Sequence, residues 1–322
     1  MKKYIISIGV VILLFISYFI IDSLLFDGIK PKSINQNGFQ ANYFAKPNIK
    51  NKTAIILLGG SQWGNYWSEQ FASKDFVGLS LPYTGNDNLP KLPEEIPLEY
   101  FKKAIIWLKK QPEVNPNKII VMGASRNSEL ALILGSTFPK LINGVIAYSP
   151  SSVSWSNTVL PYNSDTIKAS WKYKGYAIPY IPMNKISGEN FSKINSLEYW
   201  TIGLKKQDYL ENAIIKVEKI NGPILLFSGK NDAVWPSSIM ANMIEKRLYD
   251  NHFKYPCKNI QYENAGHLIS RNPDSNSDTS ERVGKMTINN KVYEFDFGGT
   301  MNGDNTAKKL AKVEVLNFIN SL

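Results

Sequence analysis

A chain of 322 residues with 43% hydrophobic content can bury a full core, as one large α/β domain or two smaller ones. Its single cysteine, Cys257, excludes an internal disulfide framework and a cysteine-based metal site, and with only His252 and His267 a multi-histidine site is excluded too, so no metal and no cofactor is expected. The formal charge of +10 comes from scattered lysines without the basic block of a nucleic-acid arm; it suits an anionic membrane face or substrate, and equally a solvated lysine-rich surface.

In chain order, Met1-Lys2-Lys3 precedes an apolar run from Tyr4 to Ile21 that resumes at Leu24-Leu25-Phe26. Crossing a bilayer takes about 20 predominantly apolar residues. The run exceeds the signal-peptide core of about 7–15 residues, and no small-x-small cleavage site follows. It predicts an uncleaved signal-anchor over residues 1–28, since a buried core helix would carry a polar face. Lys2 and Lys3 would hold the first end in the cytoplasm, a bias moderated by Lys30 and Lys32, giving a single-pass cell-membrane protein with its folded domain outside. Residues 29–52 mix Pro, Asn, Lys and Gly and read as a tether with an irregular first strand.

From there strands and helices alternate over a domain of residues 53–322. Ala54 to Leu58 is a buried strand followed by the loop Gly59-Gly60-Ser61-Gln62-Trp63-Gly64, and Phe76 to Leu81 is a second strand. A helix follows with Tyr100, Phe101, Ala104, Ile105 and Leu108 on one face. Next come the strand Lys118 to Met122, a helix over Glu129 to Leu134, and the strands Gly144 to Tyr148 and Pro223 to Phe227. A helix keeps Met240, Ile244 and Leu248 in register, Ile260-Gln261-Tyr262 is a short late strand, and the closing helix carries Leu310, Val313, Leu316 and Ile319. This pattern predicts a doubly wound, mostly parallel sheet covered on both faces, with any ligand beyond the carboxyl ends of its strands.

Two stretches interrupt the alternation. Residues 151–211 have a weak apolar period, but Trp155, Trp171, Tyr173, Tyr180 and Trp200 argue against disorder and predict a lid or cap over the site. Ser270 to Arg282 is polar and reads as a mobile surface loop, and Met286 to Tyr293 as a hairpin turning at Asn289-Asn290.

The chemistry centres on Gly123-Ala124-Ser125-Arg126-Asn127, between a β-branched strand and a helix former. Strand, sharp turn, serine and helix make a nucleophile elbow, which presents a hydroxyl at a helix N-terminus. Asn127 stands where the G-x-S-x-G pattern has its second glycine, and Asn is among the least penalised replacements in unusual backbone regions. By itself the pentapeptide is equally compatible with a serine that caps a helix. A nucleophilic serine needs a base, itself oriented by a carboxylate. Asp232 in Ser228-Gly229-Lys230-Asn231-Asp232 and His267 in Asn264-Ala265-Gly266-His267 each follow a strand end, in the order Ser, Asp, His of the α/β-hydrolase arrangement. His252 reads as a solvated bystander. The expected oxyanion donors are the N–H of Arg126 and that of Ser61 or Gln62, with Gly60 letting the backbone approach. Gly60, Trp63, Trp155 and Trp235 are the expected substrate-lining residues.

With these residues placed, the chain resembles the C-terminal catalytic domain shared by acyl-CoA thioesterases and bile acid-CoA:amino acid N-acyltransferases. The similar segments are Leu58-Gly59-Gly60-Ser61, Gly123 to Leu130, Ala147 to Trp155, Ser228 to Asp232 with Trp235-Pro236-Ser237, Ala265 to Ile269, and Gly298-Gly299-Thr300 with the closing helix. The resemblance implies an α/β-hydrolase fold with a lid insertion, Ser125 as nucleophile, His267 as base, Asp232 as its partner, and attack on an acyl thioester through an acyl-enzyme. A serine nucleophile is closer to the family's hydrolytic members than to its amino-acid-conjugating ones. The family's N-terminal β-sandwich domain is absent from this sequence, where the apolar run stands instead. An outward-facing domain would see little coenzyme A ester, so three readings stay open: a thioester hydrolase; a carboxylesterase, lipase-like hydrolase or acyltransferase acting on extracytoplasmic acyl esters; and a tethered binding module with a distorted elbow. The expected partners are a small acyl ester or thioester and the membrane, with no nucleic acid; oligomeric state is open.

Overall fold

The structure is a computed structural model that describes residues 8–17, 28–158, 164, 166–185, 192–274, 282–288 and 290–322. Of the apolar N-terminal run, residues 8–17 are described, and they are helical. No helix among the described residues is long and apolar enough to cross a membrane. The signal-anchor, the membrane as a partner and the extracytoplasmic placement are therefore withdrawn; the rest of the run lies outside the described residues.

The segment expected to be a tether is ordered as strands β1 (Lys32–Gln36) and β2 (Phe39–Phe44), paired antiparallel with Gln36 opposite Phe39. Between them Asn37 and Gly38 have φ of 60° and 77°. Two successive positive φ values are what a tight hairpin requires, and Asn-Gly is its strongest sequence signal.

β3 (Lys52–Leu58) leads into α1 (Ser61–Ser73) and β4 (Val77–Leu81). The expected loop from Gly59 to Gly64 is thus only Gly59-Gly60, because the helix begins at Ser61. Then follow β5 (Ile96–Pro97), α2 (Leu98–Leu108), β6 (Val114–Ala124), α3 (Arg126–Thr137) and β7 (Gly144–Tyr148). An insertion carries β8 (Trp171–Tyr173), β9 (Tyr176–Ala177), α4 (Ser196–Leu204) and α5 (Gln207–Ala213). The main pattern resumes with β10 (Ile224–Gly229), α6 (Ser237–Asp250) and β11 (Cys257–Tyr262). The hairpin β12 (Val283–Ile288) and β13 (Lys291–Asp296) precedes α7 (Met301–Asn320). That hairpin turns at the expected asparagine pair, of which Asn289 lies outside the described residues, as does most of the expected polar loop.

The main sheet has the order β1-β2-β4-β3-β6-β7-β10-β11, and the six strands from β4 to β11 are mutually parallel. Successive strand side chains point to opposite faces. Ile56, Val121 and Leu226 therefore join α2, α3 and α6 in one core, while Ile55, Met122 and Phe227 join α1 and α7 in the other. Each such side chain, fully buried, contributes roughly 1.5–3 kcal/mol. The face of α7 differs from expectation. Ala307, Ala311, Val315 and Ile319 are buried, while Leu310 and Val313 are exposed. The i, i+4 row with small alanines lies closer to the strands than a leucine row could.

The insertion has a core of its own, in which Val153, Trp155, Ile181, Met183, Trp200 and Ala213 pack with Trp235 and Met240. The rings of Trp155 and Trp200 meet edge to face with centroids 4.8 Å apart. β8 also pairs with β5, so the insertion is tied to the main fold through Ile96 and Pro97.

Cys257 opens β11, and burial together with the nearby charge of Glu245 pushes its thiol up to about 12. In the native protein at mildly alkaline pH it is expected to resist an aromatic disulfide reagent that modifies the denatured chain fully. Prompt native reaction would show that this end of β11 opens.

Candidate active site

The parallel strands deliver their carboxyl ends to one edge, and the loops that leave this edge carry the three residues singled out by their order. Ser125 sits between β6 and α3 with φ 55° and ψ −124°. The turn is held from beneath. The Ser125 N–H donates to Tyr148 O at 2.9 Å, and the Ser128 hydroxyl donates to Ser125 O at 2.6 Å. A Cβ on Gly123 would lie 2.1 Å from Asn127 O, so that position admits only glycine. Asn127 is accommodated by a complementary absence. A Cβ on Gly59 would fall 2.3 Å from Asn127 Nδ2, and the Tyr83 hydroxyl donates to Asn127 Oδ1 at 2.7 Å. The larger side chain occupies the space that Gly59 leaves.

β10 ends in the loop carrying Asp232, and β11 in the loop carrying His267. His267 Nε2 lies 3.0 Å from Ser125 Oγ, and His267 Nδ1 lies 2.9 Å from Asp232 Oδ2. Both side chains are almost entirely buried. Asp232 Oδ1 accepts from the N–H groups of Val234 and Trp235 at 2.9 and 3.2 Å, and Oδ2 also accepts from the Ser237 hydroxyl at 2.7 Å. These donors hold the carboxylate in one orientation. The imidazole is flanked by Trp235, edge-on at 6.0 Å, and by Phe297, stacked at 6.5 Å. His252 is exposed beyond the end of α6.

The loop after β13 braces the Asp232 and His267 loops together. Phe297 O accepts from the His267 N–H at 2.8 Å, Asp232 and Gly298 form a bridge, and Asn264 O accepts from the Thr300 N–H at 2.7 Å. Asp304 on α7 accepts from the Gly266 N–H at 2.6 Å and pairs with Arg282 at 2.8 Å. Gly298, Asp304, Arg282 and Ser237 are contributors that local pattern did not mark; Gly298 and Ser237 stood out only as members of segments that carry the family resemblance. Gly298 has φ 71°, and a Cβ there would lie 1.9 Å from Asn231 O. Gly298→Ala is expected to shift the Asp232 loop against His267 and lower turnover about 100-fold, the cost of an ångström-scale misplacement. Parallel thermal melts and kinetics check this, and wild-type turnover would remove the loop from the bracing role.

The expected oxyanion donors stand at two helix starts. The first N–H groups of a helix have no intrahelical acceptor, and its dipole favours negative charge there. Ser61 and Gln62 open α1 and are exposed, whereas Arg126 opens α3 with its side chain buried. Gly60, at φ 58°, packs against Pro82, 2.7 Å from where a Cβ would be. Trp63 is half-buried against Trp67. Trp155 and Trp235 are not substrate-lining. They are 0% and 1% exposed, Trp155 in the insertion core and Trp235 between Trp200 and His267.

The Arg126 guanidinium is paired with Glu129, which is wholly buried on the next turn of α3. Burial pushes the Glu129 carboxyl above its ordinary range, against the pull of Arg126.

A mainly parallel sheet of this order, with its serine at a strand–turn–helix elbow, defines an α/β-hydrolase-like fold. Solved structures agree at the level of fold. The dienelactone hydrolase-like promiscuous phosphotriesterase P91 from metagenomic libraries gives a TM-score of 0.53 at 11% identity, covering 92% of this chain and 99% of that one. A puromycin-hydrolysing peptidase of Mycobacterium tuberculosis gives 0.50 at 14% identity, covering 74% of this chain and 36% of that one. The chain belongs to the BAAT / acyl-CoA thioester hydrolase C-terminal family, whose model matches residues 96–321. Among curated proteins it is similar to acyl-coenzyme A thioesterase 1 of Rattus norvegicus, 29% identical over 75% of this chain and 54% of that protein. It is also similar to mitochondrial acyl-coenzyme A thioesterase 2 of Mus musculus, 28% identical over 75% of this chain and 50% of that protein. The chain thus spans about half the length of the curated relatives it matches.

Proposed function

We propose that the chain is a serine hydrolase that cleaves acyl thioesters of the acyl-CoA type, with Ser125 as nucleophile, His267 as base and Asp232 as the carboxylate that orients it. The observation that carries this reading is the hydrogen-bonded series Ser125 Oγ, His267 and Asp232, at 3.0 and 2.9 Å, in a chain of this family. Ser125 Oγ attacks the acyl carbonyl while its proton passes to His267 Nε2. The carbonyl electrons move onto oxygen, and the N–H of Arg126 with that of Ser61 or Gln62 receives the oxyanion. Collapse breaks the carbon–sulfur bond, the imidazolium protonates the departing thiolate, and an acyl-Ser125 ester remains. Water, deprotonated by His267, then releases the carboxylic acid. The case for an oxygen ester rested on an outward-facing domain, a placement that no helix among the described residues supports. Distortion of the elbow by Asn127, the ground for a binding module, is at odds with how Asn127 fits over Gly59.

Fluorophosphonate labelling of the full chain, beside Ser125→Ala and His267→Ala, tests the nucleophile. Labelling is expected in the wild type only, and folded wild-type protein that stays unlabelled would return the binding-module reading. A thioester and an oxygen ester of the same acyl group then test the substrate, with faster turnover of the thioester expected. Preference for the oxygen ester would overturn the thioester assignment while leaving the nucleophile intact.

A further inference from the structure

We propose that Glu129 and the Arg126 side chain are a positioning pair that pins the inserted cap to the nucleophile turn and so fixes the main-chain N–H of Arg126; this rests on Ser125 being the nucleophile. Arg126 faces two ways. Its N–H stands at the start of α3 beside Ser125, while its side chain runs into the insertion. There the guanidinium bonds to Glu129 and to Ser170 Oγ, approaches Trp155 O and Ser156 O at 3.5 Å each, and stacks 5.6 Å above the Trp171 ring. Glu129 is 0% exposed. Besides Arg126, its carboxylate accepts from the Trp155 N–H at 3.2 Å and from Trp171 Nε1 at 2.8 Å. Two charges on the first turn after the nucleophile are therefore satisfied largely by groups of the cap.

Stability alone does not account for such a pair. Well-packed apolar residues of similar volume are often as stable as a buried ion pair or more so, whereas one charge left without its partner is strongly destabilising. What the pair adds is directional. The planar guanidinium fork and a carboxylate with several donors admit one relative placement of cap and elbow. The cap at Trp155 and Trp171 is thus a fixed roof. Lifting it would strand a buried charge, and shifting it would drag the main chain of residue 126.

The decisive variant is Arg126→Met/Glu129→Met, which removes both charges together and leaves unbranched apolar side chains, of equal length at 129 and shorter at 126. It is expected to stay folded but to melt below the wild type, because the buried Trp155 N–H and Trp171 Nε1 lose their acceptor. Its kcat on an acyl thioester is expected to fall about 100-fold, with KM little changed and fluorophosphonate labelling slowed in parallel. Wild-type kcat in the folded variant overturns the proposal. Arg126→Lys and Glu129→Asp keep the charges and the fold but lose the fork or the reach. Both are expected to fall between the double variant and the wild type in kcat, a graded rescue that a packing role would not give. If the double variant does not fold, wild-type kcat in both conservative variants overturns the proposal. Wild-type protein that is not labelled at Ser125 is a separate result, since it removes the nucleophile on which the pair is argued to act.

Discussion

Ser125→Ala is expected to lower kcat on an acyl thioester by about 10^4-fold or more while leaving the melting temperature where it was. The hydroxyl is the only atom lost, and His267 keeps its 2.9 Å partner Asp232. Ser125→Gly is expected to be equally inactive yet more stable. The backbone at φ 55° and ψ −124° suits a residue without a side chain, and holding serine there costs on the order of 1–3 kcal/mol. Glycine relieves that strain and gives back about 0.5–1 kcal/mol through its freer unfolded chain. The net gain is about 1 kcal/mol, a difference of a few degrees. Alanine keeps the Cβ and gains nothing. Paired kinetics and thermal melts of the two variants separate chemistry from strain, and a glycine variant melting below the alanine one would show that the turn stores no strain.

Asp232→Asn is expected to cost about 10^4-fold in kcat with a modest loss of stability, by analogy with the corresponding change in a serine-protease triad. The carboxylate accepts from the Val234 and Trp235 N–H groups on one oxygen, and from the Ser237 hydroxyl and His267 Nδ1 on the other. An amide has one acceptor oxygen and one donor nitrogen. With its oxygen on the two backbone N–H groups, its nitrogen faces His267 Nδ1 and drives the imidazole proton to Nε2. That nitrogen can then no longer take the proton of Ser125. Ser237→Ala removes one of four donors and leaves the tautomer alone, so its expected loss is about 10-fold or less. Steady-state kinetics of both variants test this, and equal losses would mean that Ser237 rather than the tautomer carries the effect.

Much of the sheet was legible because buried parallel strands are continuous apolar runs. Ala54 to Leu58, Gly144 to Tyr148 and Pro223 to Phe227 each announce a strand, and the loops after β6, β10 and β11 bring Ser125, Asp232 and His267 to one edge. Misreadings arose where a local pattern has two physical outcomes. Asn37-Gly38 sits in a polar stretch that resembles a tether, but its two positive φ values make a hairpin. Leu310 and Val313 form a plausible apolar stripe, yet helix and sheet approach along Ala307 and Ala311. Trp155 and Trp235 are aromatic residues near a site, which on sequence alone fits a lining and a core equally. Apolar composition made the first 28 residues look like a span, whereas no helix among the described residues, 8–17 of that run included, is long and apolar enough to cross a membrane. The Arg126–Glu129 pair was out of reach for another reason. Nothing within α3 shows that the partners of both charges lie 26 to 44 residues further on.

The brace formed by Phe297, Gly298 and Thr300 also bears on the protein's biogenesis. Chains emerge from the ribosome N-terminus first, at about 5–20 residues per second. Serine, aspartate and histidine are therefore all synthesised before the strap that clasps the aspartate loop to the histidine loop, and well before α7 closes over one face of the sheet. A nascent chain carries Ser125, Asp232 and His267 before it has the clasp. On the proposed mechanism, hydrolytic competence therefore waits for the strap to be made.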